Sequence, residues 1–147
     1  MDRKDFCFDI DGTLANIEHR RQYVASKPKN WKAFNASMHL DTPHDDIVFL
    51  AKLFKQLGHR IILCSGRGEE QRKVTEKWLK DHDIQYDALY MRKEQDYRSD
   101  NIVKSELLDQ LLLDGYSPFM VFDDRDQVVD MWRKRGIRCC QVAPGDF

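Results

Sequence analysis

An apolar run that ends in two carboxylates constrains this chain more than any other feature. It reads Phe6-Cys7-Phe8-Asp9-Ile10-Asp11-Gly12-Thr13-Leu14. Phe6, Cys7, Phe8 and Ile10 are expected to form a strand buried on both faces, as in a parallel sheet. Asp9 and Asp11 lie two apart, so at a strand end they project to the same side. Gly12 lets the chain turn sharply just past them. Two acids held together at the end of a core strand repel, which raises one pKa or recruits a cation. A hard divalent ion with oxygen ligands, Mg2+, is the expected compensator.

Downstream, apolar strand-like runs alternate with helical periodicity. Strands are expected over His59–Cys64, Tyr86–Met91, Phe119–Phe122 and Ile137–Val142. Helices are expected over Trp31–Met38 with Asn30 as cap, and over a segment carrying Ile47, Leu50, Phe54 and Leu57. Further helices should run from about Glu69 to Asp81, from an Asp100 or Ser99 cap to Gly115, and from Asp126 to Arg135. This alternation predicts an α/β fold, a Rossmann-like parallel sheet of about five strands flanked by helices. The stretch from Asn16 to about Asp41 interrupts it and reads as a small helical insertion beside the site, within a single domain over 1–147. In such sheets ligands bind beyond the carboxyl ends of the strands. Asp9/Asp11, Ser65/Arg67 and Asp123/Asp124 each follow such an end, so they are expected to share one site.

Composition excludes several classes. A net charge of −1 with 33% charged residues leaves no global pull on nucleic acid, so any such contact must be local. No apolar run has the length of a membrane span, and with the first strand expected so near the N-terminus no signal peptide is expected. Cys7, Cys64, Cys139 and Cys140 lack C-x-x-C spacing, which fits a reducing cytoplasm, with the Cys139-Cys140 pair at most a weak redox or metal hint. The five histidines have no ligand spacing and read as surface residues.

A carboxylate can attack phosphorus and form an aspartyl-phosphate. That chemistry needs a second acid for the proton, donors for the phosphoryl oxygens, and acids to anchor a metal. Asp9 is the candidate nucleophile and Asp11 the candidate acid/base. Ser65 and the N–H groups around Gly66, expected at a helix N-terminus, suit a phosphate. Asp123 and Asp124 can complete a metal shell with Asp9 and Asp11. Lys104 lies four residues after Asp100, which is expected to orient it from the same helix face.

Asp9-Ile10-Asp11-Gly12-Thr13, Ser65-Gly66-Arg67, Lys104 and Asp123-Asp124 resemble, in order, the four motifs of the haloacid dehalogenase-like phosphatase superfamily. Met91-Arg92, Asp96, Arg98, the run Asp123 to Arg133 and the ending Gln141 to Phe147 resemble the 3′-phosphatase domain of phage polynucleotide kinase/phosphatases. The resemblance implies a Mg2+-dependent phosphatase acting on nucleic-acid 3′ ends. It implies catalytic roles for Asp9, Asp11, Arg67 and Lys104. It implies substrate roles for Thr13, Arg20, Ser65, Gly66 and Asp100, with Arg21 as an alternative to Arg20. It implies metal binding by Asp9, the Asp11 carbonyl, Asp123 and Asp124. The kinase signature G-x-x-x-x-G-K-[ST] is absent, so no kinase activity is expected.

Trp31, Phe34 and Trp78 read first as core. The cluster Arg20, Arg21, Lys27, Lys29 and Lys32, mixed with Tyr23 and Trp31, could equally hold a nucleic-acid backbone or be a solvated face. The runner-up functions are a nucleotidase for nucleoside monophosphates and a non-catalytic end-binding module.

Overall fold

The computed structural model describes residues 2–147. The chain enters on β1 (Asp5–Phe8), which is buried throughout. The insertion follows: β2 (Ala15–Asn16), α1 (Glu18–Ala25), α2 (Trp31–Ala36), a 3-10 turn over Met38–Leu40, and β3 (Thr42–Pro43). β2 and β3 pair antiparallel and tie the insertion together at its base. Then come α3 (Asp45–Gln56), β4 (Arg60–Gly68), a 3-10 turn over Glu69–Gln71 and α4 (Arg72–Asp81). β5 (Ala88–Arg92), α5 (Asp100–Leu113), β6 (Pro118–Asp123), α6 (Asp126–Lys134) and β7 (Cys139–Gln141) complete the chain.

Five strands form one sheet in the order β5-β4-β1-β6-β7, and every pairing in it is parallel. β1 is central, with β4 on one side and β6 on the other. The carboxyl ends of these three strands are therefore neighbours at the point where the winding reverses, the usual ligand crevice of such sheets.

Alternate residues of each strand face opposite layers. Phe8, Ile61 and Leu63 pack with Val48 and Ala51 of α3 and with Trp78 and Leu79 of α4. Cys7, Ile62 and Val121 pack with Leu107, Leu108 and Leu111 of α5 and with Val128 and Trp132 of α6. Phe8 stacks on Phe122 with ring centroids 4.7 Å apart, which locks β1 against β6 just below the acids. Each large aliphatic side chain buried this way contributes about 1.5–3 kcal/mol.

The structure corrects several expectations. β1 ends at Phe8 rather than Ile10, because the chain turns there: Thr13 N and Ala15 N both donate to the Ile10 carbonyl, at 3.1 and 2.9 Å. β4 runs on to Gly68, and α4 begins only at Arg72. Ser65 and Gly66 thus lie in a strand, where the pairing slips between Ser65 and Gly68, and not at a helix N-terminus. Trp31 is 54% exposed, because α2 is short and buries none of its residues. Trp78 is core, and its indole N–H donates to the Asp41 carbonyl at 2.8 Å. His59 is buried, and its Nδ1 accepts from Lys4 N at 2.9 Å. All four cysteines are free, and burial pushes the Cys139 thiol up to about 12. Among the described residues no helix is long and apolar enough to cross a membrane.

Candidate active site

Beyond β1, β4 and β6 the charged side chains separate into two clusters. The first gathers Asp9, Asp123 and Asp124 around Lys104. Lys104 projects from α5, fully covered by the sheet ends, and its Nζ donates to Asp9 Oδ1 at 2.8 Å and to Asp123 Oδ2 at 2.9 Å. Asp123 also accepts from its neighbour's backbone, Asp124 N, at 2.8 Å, and from Trp132 Nε1 at 3.3 Å. Thr13, expected at the substrate, is instead fully buried and donates its hydroxyl to Asp9 Oδ2 at 3.1 Å. The Asp9 carboxylate is thus held from both ends.

Burial, and then the charge of Asp123, push the Asp9 pKa well above the ordinary carboxylate value. The same two causes raise Asp124 to about 6. Burial works against the Lys104 ammonium, but Asp123 and Asp9 outweigh it and raise its pKa. One ammonium does not neutralise three carboxylates.

Asp9, Asp123 and Asp124 each offer an oxygen within 4.8 Å of the others, and Asp124 Oδ2 is buried without a protein partner. An all-oxygen donor set with an acid excess fits a hard divalent cation. The Asp11 carboxylate is not part of this set. It turns away toward arginines.

That second cluster is built on Asp11 Oδ1. Arg20 Nη2 donates to it at 2.9 Å, Arg67 Nη2 at 2.6 Å and Arg67 Nε at 3.0 Å. Both guanidiniums also reach Asp41, which is wholly covered. Arg20 donates through Nε to Asp41 Oδ1 at 2.8 Å and through Nη2 to Oδ2 at 2.8 Å; Arg67 Nη2 reaches Oδ2 at 3.2 Å. Thr75 Oγ1 accepts a further Arg67 bond at 3.0 Å, and His19 Nε2 sits 2.7 Å from Asp41 Oδ1. Burial tends to raise the Asp11 pKa, but Arg67 and Arg20 overcome this and hold it below the ordinary value. Of the two arginines considered, Arg20 is the one beside Asp11. Arg21 is engaged elsewhere, its Nε 2.7 Å from Glu18 Oε1 and its guanidinium 4.7 Å from the Phe147 ring.

Asp100 does not orient Lys104. Its carboxylate is drawn the other way, to Arg92 Nη2 and to Arg125 Nη1, the latter at 2.9 Å. Arg92 Nε also donates to the Gly66 carbonyl at 2.9 Å, so Asp100 and Arg92 brace the slipped end of β4. A methyl on Gly66 would come within 2.9 Å of Asp100 Oδ1. Ser65 is buried, with its hydroxyl accepting from Arg67 N at 3.1 Å. Gly12, at φ +85°, carries the turn past Asp11 directly over Asp124, and a Cβ there would lie 2.0 Å from Asp124 Oδ2.

Asp41, Arg92 and Arg125 emerge as structural members of the site that residue spacing did not single out. The available signal for Asp41 was charge balance: two arginines beside one acid need another acid.

The family described as the polynucleotide kinase PNKP phosphatase domain matches residues 4–147. A protein of Autographa californica nuclear polyhedrosis virus, described as a bifunctional polynucleotide kinase/RNA ligase, is 29% identical over 131 residues, covering 85% of this chain and 17% of its own length. The solved structure of a Pnkp1/Rnl/Hen1 complex contains a chain 38% identical to this one, with a TM-score of 0.83 over 99% of this chain and 47% of that one. The chain thus spans less than half the length of these relatives. A hydrolase from Streptococcus pneumoniae TIGR4, 15% identical with a TM-score of 0.68, covers 98% of this chain and 95% of its own and shares the fold. The architecture, the order of the acids along the chain and the match over 4–147 lead to one conclusion: the chain belongs to the polynucleotide kinase phosphatase-domain family of haloacid dehalogenase-like phosphatases.

Proposed function

We propose that this chain removes terminal 3′-phosphates from DNA or RNA ends through an aspartyl-phosphate on Asp9. One observation carries the reading: the two acids of the opening motif face different clusters. Asp9 sits between an ammonium and the acid pair, whereas Asp11 sits between two guanidiniums. Attack and proton transfer can therefore be assigned to separate carboxylates.

The Asp9 carboxylate attacks phosphorus, the bond to the 3′-oxygen breaks, and Asp11 gives that oxygen its proton. Water then attacks the acyl phosphate, Asp11 takes the water's proton, and phosphate leaves with Asp9 restored. Bound to two guanidiniums, Asp11 is a base; it can act as an acid once Arg20 and Arg67 turn to phosphoryl oxygens. Lys104 holds Asp9 in line and offsets its charge. Asp9, Asp123 and Asp124, with the Asp11 carbonyl, would hold Mg2+, which supplies positive charge against the carboxylates and the phosphoryl group. Ser65, Gly66 and Asp100 shape the seat of the phosphate. A reducing cytoplasm suits the four free thiols.

The test is phosphate release from a 3′-phosphorylated oligonucleotide with Mg2+, run beside its 5′-phosphorylated counterpart and 3′- and 5′-mononucleotides. The 3′-phosphorylated oligomer should be turned over best. Equal or better turnover of mononucleotides would replace this reading with a nucleotidase.

A further inference from the structure

The insertion carries an aromatic side chain that neither the core nor the proposed chemistry uses. Of the three tryptophans, Trp78 and Trp132 are 3% and 0% exposed, whereas Trp31 is 54% exposed. An indole left in water on an ordered element is unusual enough to ask what it meets. Its position is well held. Asn30 Oδ1 accepts from Ala33 N at 3.0 Å and caps α2, and Asn30 N donates to the Tyr23 carbonyl at 2.7 Å, which ties α2 to α1.

Trp31 is also connected to the arginine cluster. The Arg20 guanidinium lies over the Phe34 ring, 4.3 Å from its centroid, and Phe34 meets Trp31 edge to face at 5.6 Å. The indole therefore lies within about 10 Å of the guanidinium, at most about three nucleotides away at ~3.4 Å each. Lys29 Nζ sits 5.5 Å from the indole centroid, and Lys27 and Lys32 are exposed nearby in sequence. The exposed indole thus has one cation beside it, Lys29, and two more exposed lysines within four residues along the chain, charges suited to phosphates. Base stacking on an exposed aromatic with flanking cations is the usual way to hold single-stranded nucleic acid without reading its sequence.

We infer that Trp31 is a stacking platform for a base of a single-stranded polynucleotide, a few nucleotides inward from the end seated at Arg20 and Arg67. The inference rests on the polymer-end reading above and names the residue that would make the site prefer a polymer. A mononucleotide offers no base beyond the one that carries the phosphate. An oligomer reaches it, and its inner phosphates pass the lysines.

The experiment is a length series of 3′-phosphorylated oligothymidylates, from mono- through di- and tetra- to hexanucleotide, with the intact chain and with Trp31→Ala and Trp31→Phe. In the intact chain KM should fall as the substrate lengthens. Trp31→Ala should cut the ratio of mononucleotide KM to hexanucleotide KM by about tenfold, the scale of one lost base stack. The loss should appear in KM rather than kcat, and Trp31→Phe should recover most of it. Because the other two indoles are buried, iodide quenching of fluorescence reports on Trp31, and an unphosphorylated oligothymidylate should protect it. A length advantage that survives in Trp31→Ala overturns the platform and leaves the polymer-end reading standing. Absence of any length advantage in the intact chain overturns that reading and the platform with it.

Discussion

The two charged clusters on either side of the Asp9–Gly12 loop balance their charges in opposite ways. Around Lys104, three carboxylates face one ammonium, and the pKa of Asp9 and Asp124 rises. Around Asp41, two carboxylates face two guanidiniums, and the pKa of Asp11 falls. The first cluster is short of positive charge and holds a buried oxygen with no protein partner. The second balances its charges within the protein, although Arg20 Nη1 is buried there without a partner. Residues two apart in sequence thus inhabit environments that push their protons in contrary directions: burial and the excess of carboxylates favour a proton on Asp9 that a divalent cation would displace, and the arginines favour Asp11 as a carboxylate, the form that takes a proton from water.

The largest effect should come from removing the attacking oxygen. Asp9→Asn should lower phosphate release by at least about a thousandfold, measured in single turnover. Retained turnover would mean that the two clusters do not divide the work as assigned. Next, Asp41→Ala strands two buried guanidiniums. It should cost about 3–5 kcal/mol, read as a lower Tm or denaturation midpoint, with Asp41→Asn milder because it keeps an acceptor. A fully stable Asp41→Ala protein would show that the second cluster is not self-contained.

The two clusters should also answer pH differently when the metal is chelated. The Asp124 pKa rises from an ordinary 3.8 to about 6 on folding, burial being the first cause. A raised carboxylate contributes stability in full below the unfolded value and loses it as pH climbs through the folded value. Chelated protein should therefore lose up to about 3 kcal/mol between pH 4 and 7 from this group. Asp11 is lowered, so its contribution is present above 3.8 and is lost only as pH falls through its lower folded value. Adding Mg2+ at neutral pH should raise Tm, with the gain shrinking toward pH 4; an unmoved Tm would break the comparison. The smallest effect should be that of His19→Ala, which removes one partly exposed bond to Asp41 and should shift stability by about 0.5–1 kcal/mol.

Much of this was legible in the amino-acid order, because strands buried on both faces announce themselves as apolar runs. The runs at Phe6, Ile61 and Val121, followed by acids after the first and third and by Ser65 and Arg67 after the second, place the sheet and its crevice without further help. The orientation of side chains was not legible. Thr13 reads as a substrate hydroxyl, yet its turn points it at Asp9. Asp100 stands one helical turn from Lys104, yet two arginines from other elements claim its carboxylate. Asp41 reads as part of a polar turn, since nothing local tells a solvated aspartate from a buried one; its role depends on Arg20 and Arg67, which arrive from α1 and β4. Trp31 has the spacing of a core residue, but α2 is too short and too peripheral to bury it.

The fit of Gly12 under Asp124 bears on mutational tolerance. The backbone near one end of the chain and a carboxylate near the other occupy a volume with no room for one more carbon, since a Cβ would stand 2.0 Å from Asp124 Oδ2. A methyl there would meet an unfavourable backbone angle and displace the Asp124 carboxylate in the same stroke. Position 12 should therefore admit glycine alone in any screen for activity, and its substitutions should look like losses of metal affinity even where the sheet still forms.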